Sequence, residues 1–210
     1  MKEKISSLMT EINGDYRRKT TLFSFFSALL NLFFTFFHAV LGVVSSSLWH
    51  DSISVYYLVL FVIRTILVVT ERRKEEEKVR MGVYTLTHIL LLFMNISLIV
   101  PIIVMIRGGR TYSYGLIPAI AMAVYTTYRV TVAVMNLMRA KRSGSRTLKT
   151  LRTVNFLDAL LSVLTLQNAM IAANGGTDDD MHTLMIYTSA AIWLFMVFLS
   201  IRSFRKITAE

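Results

Sequence analysis

Three charged residues, Arg64, Arg129 and Asp158, stand inside stretches that are otherwise apolar enough to read as membrane spans. Two guanidinium groups against one carboxylate leave one positive charge in excess, which suits an anionic or zwitterionic solute better than a divalent metal. Their depths are comparable. Arg64 lies seven residues before Glu71 and Asp158 six after Arg152, so at a helical rise of 1.5 Å both sit about 10 Å in from the same edge. Arg129 lies ten residues before Arg139, about 15 Å in, and its long side chain can reach back to that level. Asp158 is therefore expected to be the counter-ion of Arg129, of Arg64 or of both, because a lone charge in lipid is costly.

Uncharged polar residues repeat at helical spacing around these three. Asn31, Thr35, His38, Gly42 and Ser45 form one stripe; Tyr84, His88 and Asn95 a second; Tyr125, Arg129 and Asn136 a third; Asn155, Asp158, Ser162, Thr165 and Ala169 a fourth. Four stripes on four helices imply a shared polar interior. The candidate solute or ion pathway is Arg129, Asp158, Arg64, Asn155, His38, His88, Asn31, Asn95 and Asn136. The competing interpretation of the uncharged members is interhelical hydrogen-bond glue, at about 0.6–2 kcal/mol per contact. His38 and His88 stand in no metal-ligand motif, the spans hold one carboxylate and the chain has no cysteine, so no metal site is expected. There is likewise no nucleophile elbow, carboxylate pair, phosphate loop or cofactor motif, which argues against an enzyme, a catalytic residue or a cofactor.

The elements that must position these residues follow from the composition. Of 210 residues 54% are hydrophobic and only 17% charged, the signature of an integral membrane protein. Six apolar runs, at 22–45, 53–70, 81–106, 114–138, 153–173 and 184–201, approach the roughly 20 residues that cross a hydrocarbon core. Runs of that length in lipid are helices. The fold class is thus all-α: a polytopic membrane protein of six transmembrane helices in three hairpins, a transporter-like bundle. Residues 1–20 form an amphipathic cytoplasmic segment that Asn13-Gly14 closes, 21–203 the membrane domain and 204–210 a cytoplasmic tail.

Nineteen Lys and Arg fall on one side of this arrangement and only Arg107 and Arg110 on the other, which puts both termini in the cytoplasm and the chain in the cell membrane. The net charge of +10 comes from clusters at span ends, so the basic partner is the bilayer surface rather than nucleic acid. Outer loops at 46–52, 107–113 and 174–183 are short, and Trp49, Tyr112 and Tyr114 fall where an interfacial aromatic belt belongs. Asp178 to Asp180 suit the start of the sixth span by the helix dipole. Ala119/Ala123 and Ala169/Ala173 are small-xxx-small pairs that would suit close packing within the bundle or in a homo-oligomer.

Two resemblances accompany this pattern. The run from Asn31 to Gly42 (NLFFTFFHAVLG), the SSSLW after it and the TLQNAM of the fifth span resemble an uncharacterised family of small bacterial six-helix membrane proteins, which implies the fold and no activity. More remotely, Asn31 and Gly42, Ser46-Ser47-Leu48, Tyr114-Gly115-Leu116 and the basic linker before a polar fifth span are similar to the membrane domain of cation diffusion facilitators. That family's metal ligands would fall near Ile53 and Tyr57 and near Asn155 and Ala159, which are not metal ligands here, and its C-terminal domain has no counterpart. The expectation is a bundle that binds or moves a small solute through a polar interior. The alternative is a non-transporting membrane protein that regulates or scaffolds a partner.

Overall fold

The computed structural model describes residues 2–73, 77–108, 116–140, 146–173 and 179–208. Besides shorter stretches, the side chains before residue 24 and those of 136–140 lie outside the described set. All regular structure among the described residues is helical: α1 (Lys2–Ser45), α2 (Leu48–Arg73), α3 (Glu77–Ser97), α4 (Ile99–Gly108), α5 (Leu116–Ala140), α6 (Arg146–Ala173) and α7 (Asp179–Thr208). Among the described residues, five helical stretches are long and apolar enough to cross a membrane: Ser24–Ser45, Leu48–Thr70, Glu77–Val104, Lys149–Ile171 and Thr183–Lys206.

Asn13-Gly14 does not end the first helix. α1 continues through it from Lys2, since a glycine costs a helix only about 1 kcal/mol against alanine and good helix formers on both sides carry it. At the other end, two residues separate α1 from α2. Ser46 takes a left-handed φ of 48°, and the Ser47 N–H reaches back 3.1 Å to the Gly42 carbonyl, a Schellman ending that satisfies a terminal carbonyl and reverses the chain. A side chain at Gly42 would run into that of Asp51, so glycine is what lets the hairpin close. The outer loop expected at 46–52 is thereby reduced to 46–47. Trp49 becomes a buried core residue rather than a belt residue.

The third apolar run is broken at Leu98. Pro101 lacks an N–H and its ring crowds the carbonyl four residues back, that of Ser97, where α3 stops. The ladder resumes at once through Leu98 N–H to Met94 O, 3.1 Å, and Ile102 N–H to Leu98 O, 3.2 Å, so α3 and α4 make one bent span.

α2 and α6 form the middle of the bundle. One face of α2 (Ile53, Tyr57, Leu60, Ile63, Leu67) packs into the core that Leu151, Val154, Leu157, Leu161 and Leu164 of α6 share. α1 lies along α2, α5 along α6, and α7 along α3 and α6. Among the described residues the third span packs on α2 and α7, and its backbone does not come close to that of α5. The outer face of α1 carries Phe26, Phe33, Phe36, Val40 and Val43, all exposed. An apolar face of this extent fits hydrocarbon rather than water, and in lipid close packing and internal hydrogen bonds, not apolar burial, hold the helices together. Ala169 is buried inside the bundle. The side chains of Ala119, Ala173 and Asp179, the Tyr112 and Tyr114 belt and Asp178 lie outside the described residues.

Candidate functional site

Arg64 of α2, Arg129 of α5 and Asp158 of α6 meet in the interior. The Asp158 carboxylate is fully buried. It accepts Arg129 Nη1 on Oδ1 at 2.5 Å and Arg129 Nη2 on Oδ2, a forked pair, while Arg64 Nη2 donates to the same Oδ2. Helix periodicity makes this possible: His50, Tyr57 and Arg64 recur every seven residues along one face of α2, turned toward α1 and α6. Arg129 Nη2 also reaches Asn31 Oδ1 of α1 at 3.3 Å, and its guanidinium carbon lies 5.3 Å from the centre of the Tyr125 ring, within cation–π range. Phe34 bridges Tyr125 and Tyr57, with ring centres 4.8 and 5.4 Å away.

This cluster is incompletely satisfied. Arg64 Nε and Nη1, Asn31 Nδ2, Tyr125 OH and Asn155 Oδ1 are buried without a hydrogen-bond partner, and each such group costs about 1–3 kcal/mol when left unmet. Beside them lies a cavity of about 220 Å³ walled by Arg64, Arg129 and Asn155 together with apolar side chains of α1 and α5. It far exceeds the roughly 15 Å³ that one water needs. A guanidinium charge in excess and surplus N–H donors thus stand beside an unfilled space.

The remaining candidates separate into other groups. His38 is buried and meets His50, with the two Nδ1 atoms 3.1 Å apart and Tyr57 stacked on the His38 ring. One Nδ1 of this pair must donate and the other accept. Among the described residues, no group of three or more His, Asp or Glu forms around a metal-sized centre. Asn95 ties three helices together: Tyr56 OH donates to its Oδ1 at 2.7 Å, its Nδ2 donates to Ser200 Oγ at 2.7 Å, and its backbone carbonyl accepts Trp193 Nε1 at 2.8 Å. His88 donates from Nδ1 to Tyr84 O at 2.8 Å, which leaves Nε2 to accept from Ser203 Oγ at 3.0 Å. The Asn136 side chain lies outside the described residues.

The structure thus joins Arg64, Arg129, Asp158 and Asn31 in one cluster, lines the adjoining cavity with Arg64, Arg129 and Asn155, and places His38, His88 and Asn95 elsewhere. His50, Tyr56, Ser200 and Ser203 complete those other groups, and residue-by-residue reading had passed them over. The seven-residue recurrence of His50, Tyr57 and Arg64 was the available signal for the first of them.

Fold and cluster together define an all-helical protein whose helices are compatible in length and hydropathy with membrane insertion, carrying a buried cationic cluster beside a cavity. No protein-family model, curated protein or solved structure matches the chain.

Proposed function

We propose that the chain is a six-span cell-membrane protein with both termini cytoplasmic, whose transporter-like interior binds and moves a small anionic or zwitterionic solute. The observation that carries this reading is the cavity beside Arg64, Arg129 and Asp158, where two cations share one counter-ion and buried donors go unmet. A compact oxyanion would neutralise the excess charge and accept from those donors at once. α5 supplies the sixth span, and the Lys/Arg asymmetry supplies the orientation. Likeness to the membrane domain of cation diffusion facilitators is carried at the level of architecture alone, because Ile53 and Ala159 offer a metal no donor side chain.

Uptake of labelled anions into proteoliposomes tests the reading. Flux of an anion that stops in Arg129→Gln while Asn95→Ala retains it is the expected result. No flux of any solute, together with a protein that co-purifies in fixed ratio, would replace transport by a scaffolding or regulatory role.

A further inference from the structure

The cavity is a cleft between two helices rather than a pore along the bundle axis. α1 and α5 provide its flanks and meet through Asn31 with Arg129 and Phe34 with Tyr125; both rest on α6. Its floor is polar, with Arg64, Arg129 and Asn155. Its flanks are apolar, with Phe26, Leu30 and Val132. The rim residues are open to the outside: Phe26 is 61% exposed, Leu30 39% and Tyr128 54%. These side chains belong to the same surface that carries the exposed apolar face of α1, so the cleft opens sideways, toward hydrocarbon, and not only toward water.

Depth agrees with that opening. Arg64 lies seven residues before Glu71 and Arg129 ten before Arg139, which puts the polar floor about 10–15 Å inside that edge of the spans. Lys149 near the start of α6 and Arg202, Arg205 and Lys206 near the end of α7 are exposed at that end. A row of cations at this level draws anionic headgroups. An occupant that satisfied only the floor would leave the apolar flanks bare, and one that satisfied only the flanks would leave Arg64 Nε and Nη1 unmet.

We propose that the cleft binds an amphipathic anion. Its carboxylate or phosphate head sits against Arg129 and Arg64, and its alkyl chain leaves between α1 and α5 along Phe26, Leu30 and Val132. This rests on the solute-site reading and gives that solute its chemical class. The anion has two possible sources, a free single-chain amphiphile or a lipid headgroup of the surrounding leaflet, and the head chemistry is the same for both.

Calorimetric titration of the whole chain in phosphatidylcholine nanodiscs, corrected against empty nanodiscs, tests it with inorganic phosphate, butyl phosphate, octyl phosphate and dioleoyl phosphatidic acid. Affinity is expected to tighten by roughly tenfold for every two methylenes buried, then to level off once the chain leaves the cleft. Leu30→Trp and Val132→Trp, which fill the flank without touching the ion cluster, should abolish the chain-length dependence and leave inorganic phosphate unchanged. Tight octyl phosphate binding identifies the free amphiphile as the source; binding confined to phosphatidic acid identifies the lipid, and either supports the proposal. Inorganic phosphate binding as tightly as octyl phosphate would keep the anion site and overturn the amphiphile. No binding by any of the four, or binding that Arg129→Gln leaves intact, would overturn both.

Discussion

Two polar regions lie inside the same bundle and are built on opposite terms. Where α2, α3 and α7 meet, Asn95, His88 and their partners Tyr56, Ser200 and Ser203 use their donors and acceptors on one another. Where α1, α2, α5 and α6 meet, the polar groups carry net charge, five buried atoms have no partner and a cavity adjoins them. The first arrangement is what hydrogen-bond glue looks like when complete. The second has a stoichiometry that internal pairing cannot close, because one carboxylate serves two guanidinium groups. Polarity alone therefore does not mark a site within a membrane bundle; an unbalanced remainder does.

The sharpest way to break this contrast is Asp158→Ala. It leaves two buried cations with no counter-ion, and losing one partner of a buried pair costs about 3–5 kcal/mol. Unfolding in detergent should show a loss of that size, recovered in part when Arg129→Gln is added, since Arg64 stays without a counter-ion. A loss no greater than that of Asn95→Ala would erase the distinction between the regions. Next in size is the asymmetry between the arginines. Arg129 makes the forked pair with Asp158 and reaches Asn31, while Arg64 gives Asp158 a single bond. Arg129→Gln should therefore destabilise by about 1.5–3 kcal/mol more than Arg64→Gln, the worth of one bond to a charged group. Equal melting temperatures for the two would show that Asp158 does not favour one cation.

In the closed region the expected effects are smaller and purely structural. Asn95→Ala removes two interhelical side-chain bonds, at about 0.6–2 kcal/mol each, and should lower stability without altering anion binding. Changed binding would mean that the two regions are coupled. Ser203→Ala is the mildest test. It takes the donor from His88 Nε2, a bond between uncharged groups, so a loss of about 0.5–1 kcal/mol in unfolding titrations is expected.

Much of this was legible in the sequence, for physical reasons that can be named. Lengths of apolar runs and the 3.6-residue period put Asn31, His38, His88, Asn95, Asn155 and Asp158 on buried faces, and all six are buried. Counting rise per residue brought Arg64, Arg129 and Asp158 to one level, because a helix in lipid is nearly a ruler. Sorting the buried polar residues into a closed and an open group was not legible, since it depends on which helix lies beside which. α5 packs on α6 and α7 on α3, and no periodicity within one helix encodes that. The turn was misjudged for a local reason: three serines read as loop, yet the left-handed Ser46 ends one helix and the next begins by Leu48, which carries Trp49 and His50 inside. The bend at Leu98 was written in Pro101.

Cysteine accessibility tests the central contrast most directly, because the chain contains no native cysteine. Asn155→Cys, at the cavity wall, and Asn95→Cys, in the closed region, would each be exposed to a membrane-impermeant anionic methanethiosulfonate on protein in lipid nanodiscs, followed by intact-mass measurement. Modification of Asn155→Cys, slowed by added octyl phosphate, with Asn95→Cys left unmodified, is the result that this account predicts. Equal modification of both, or of neither, would contradict it.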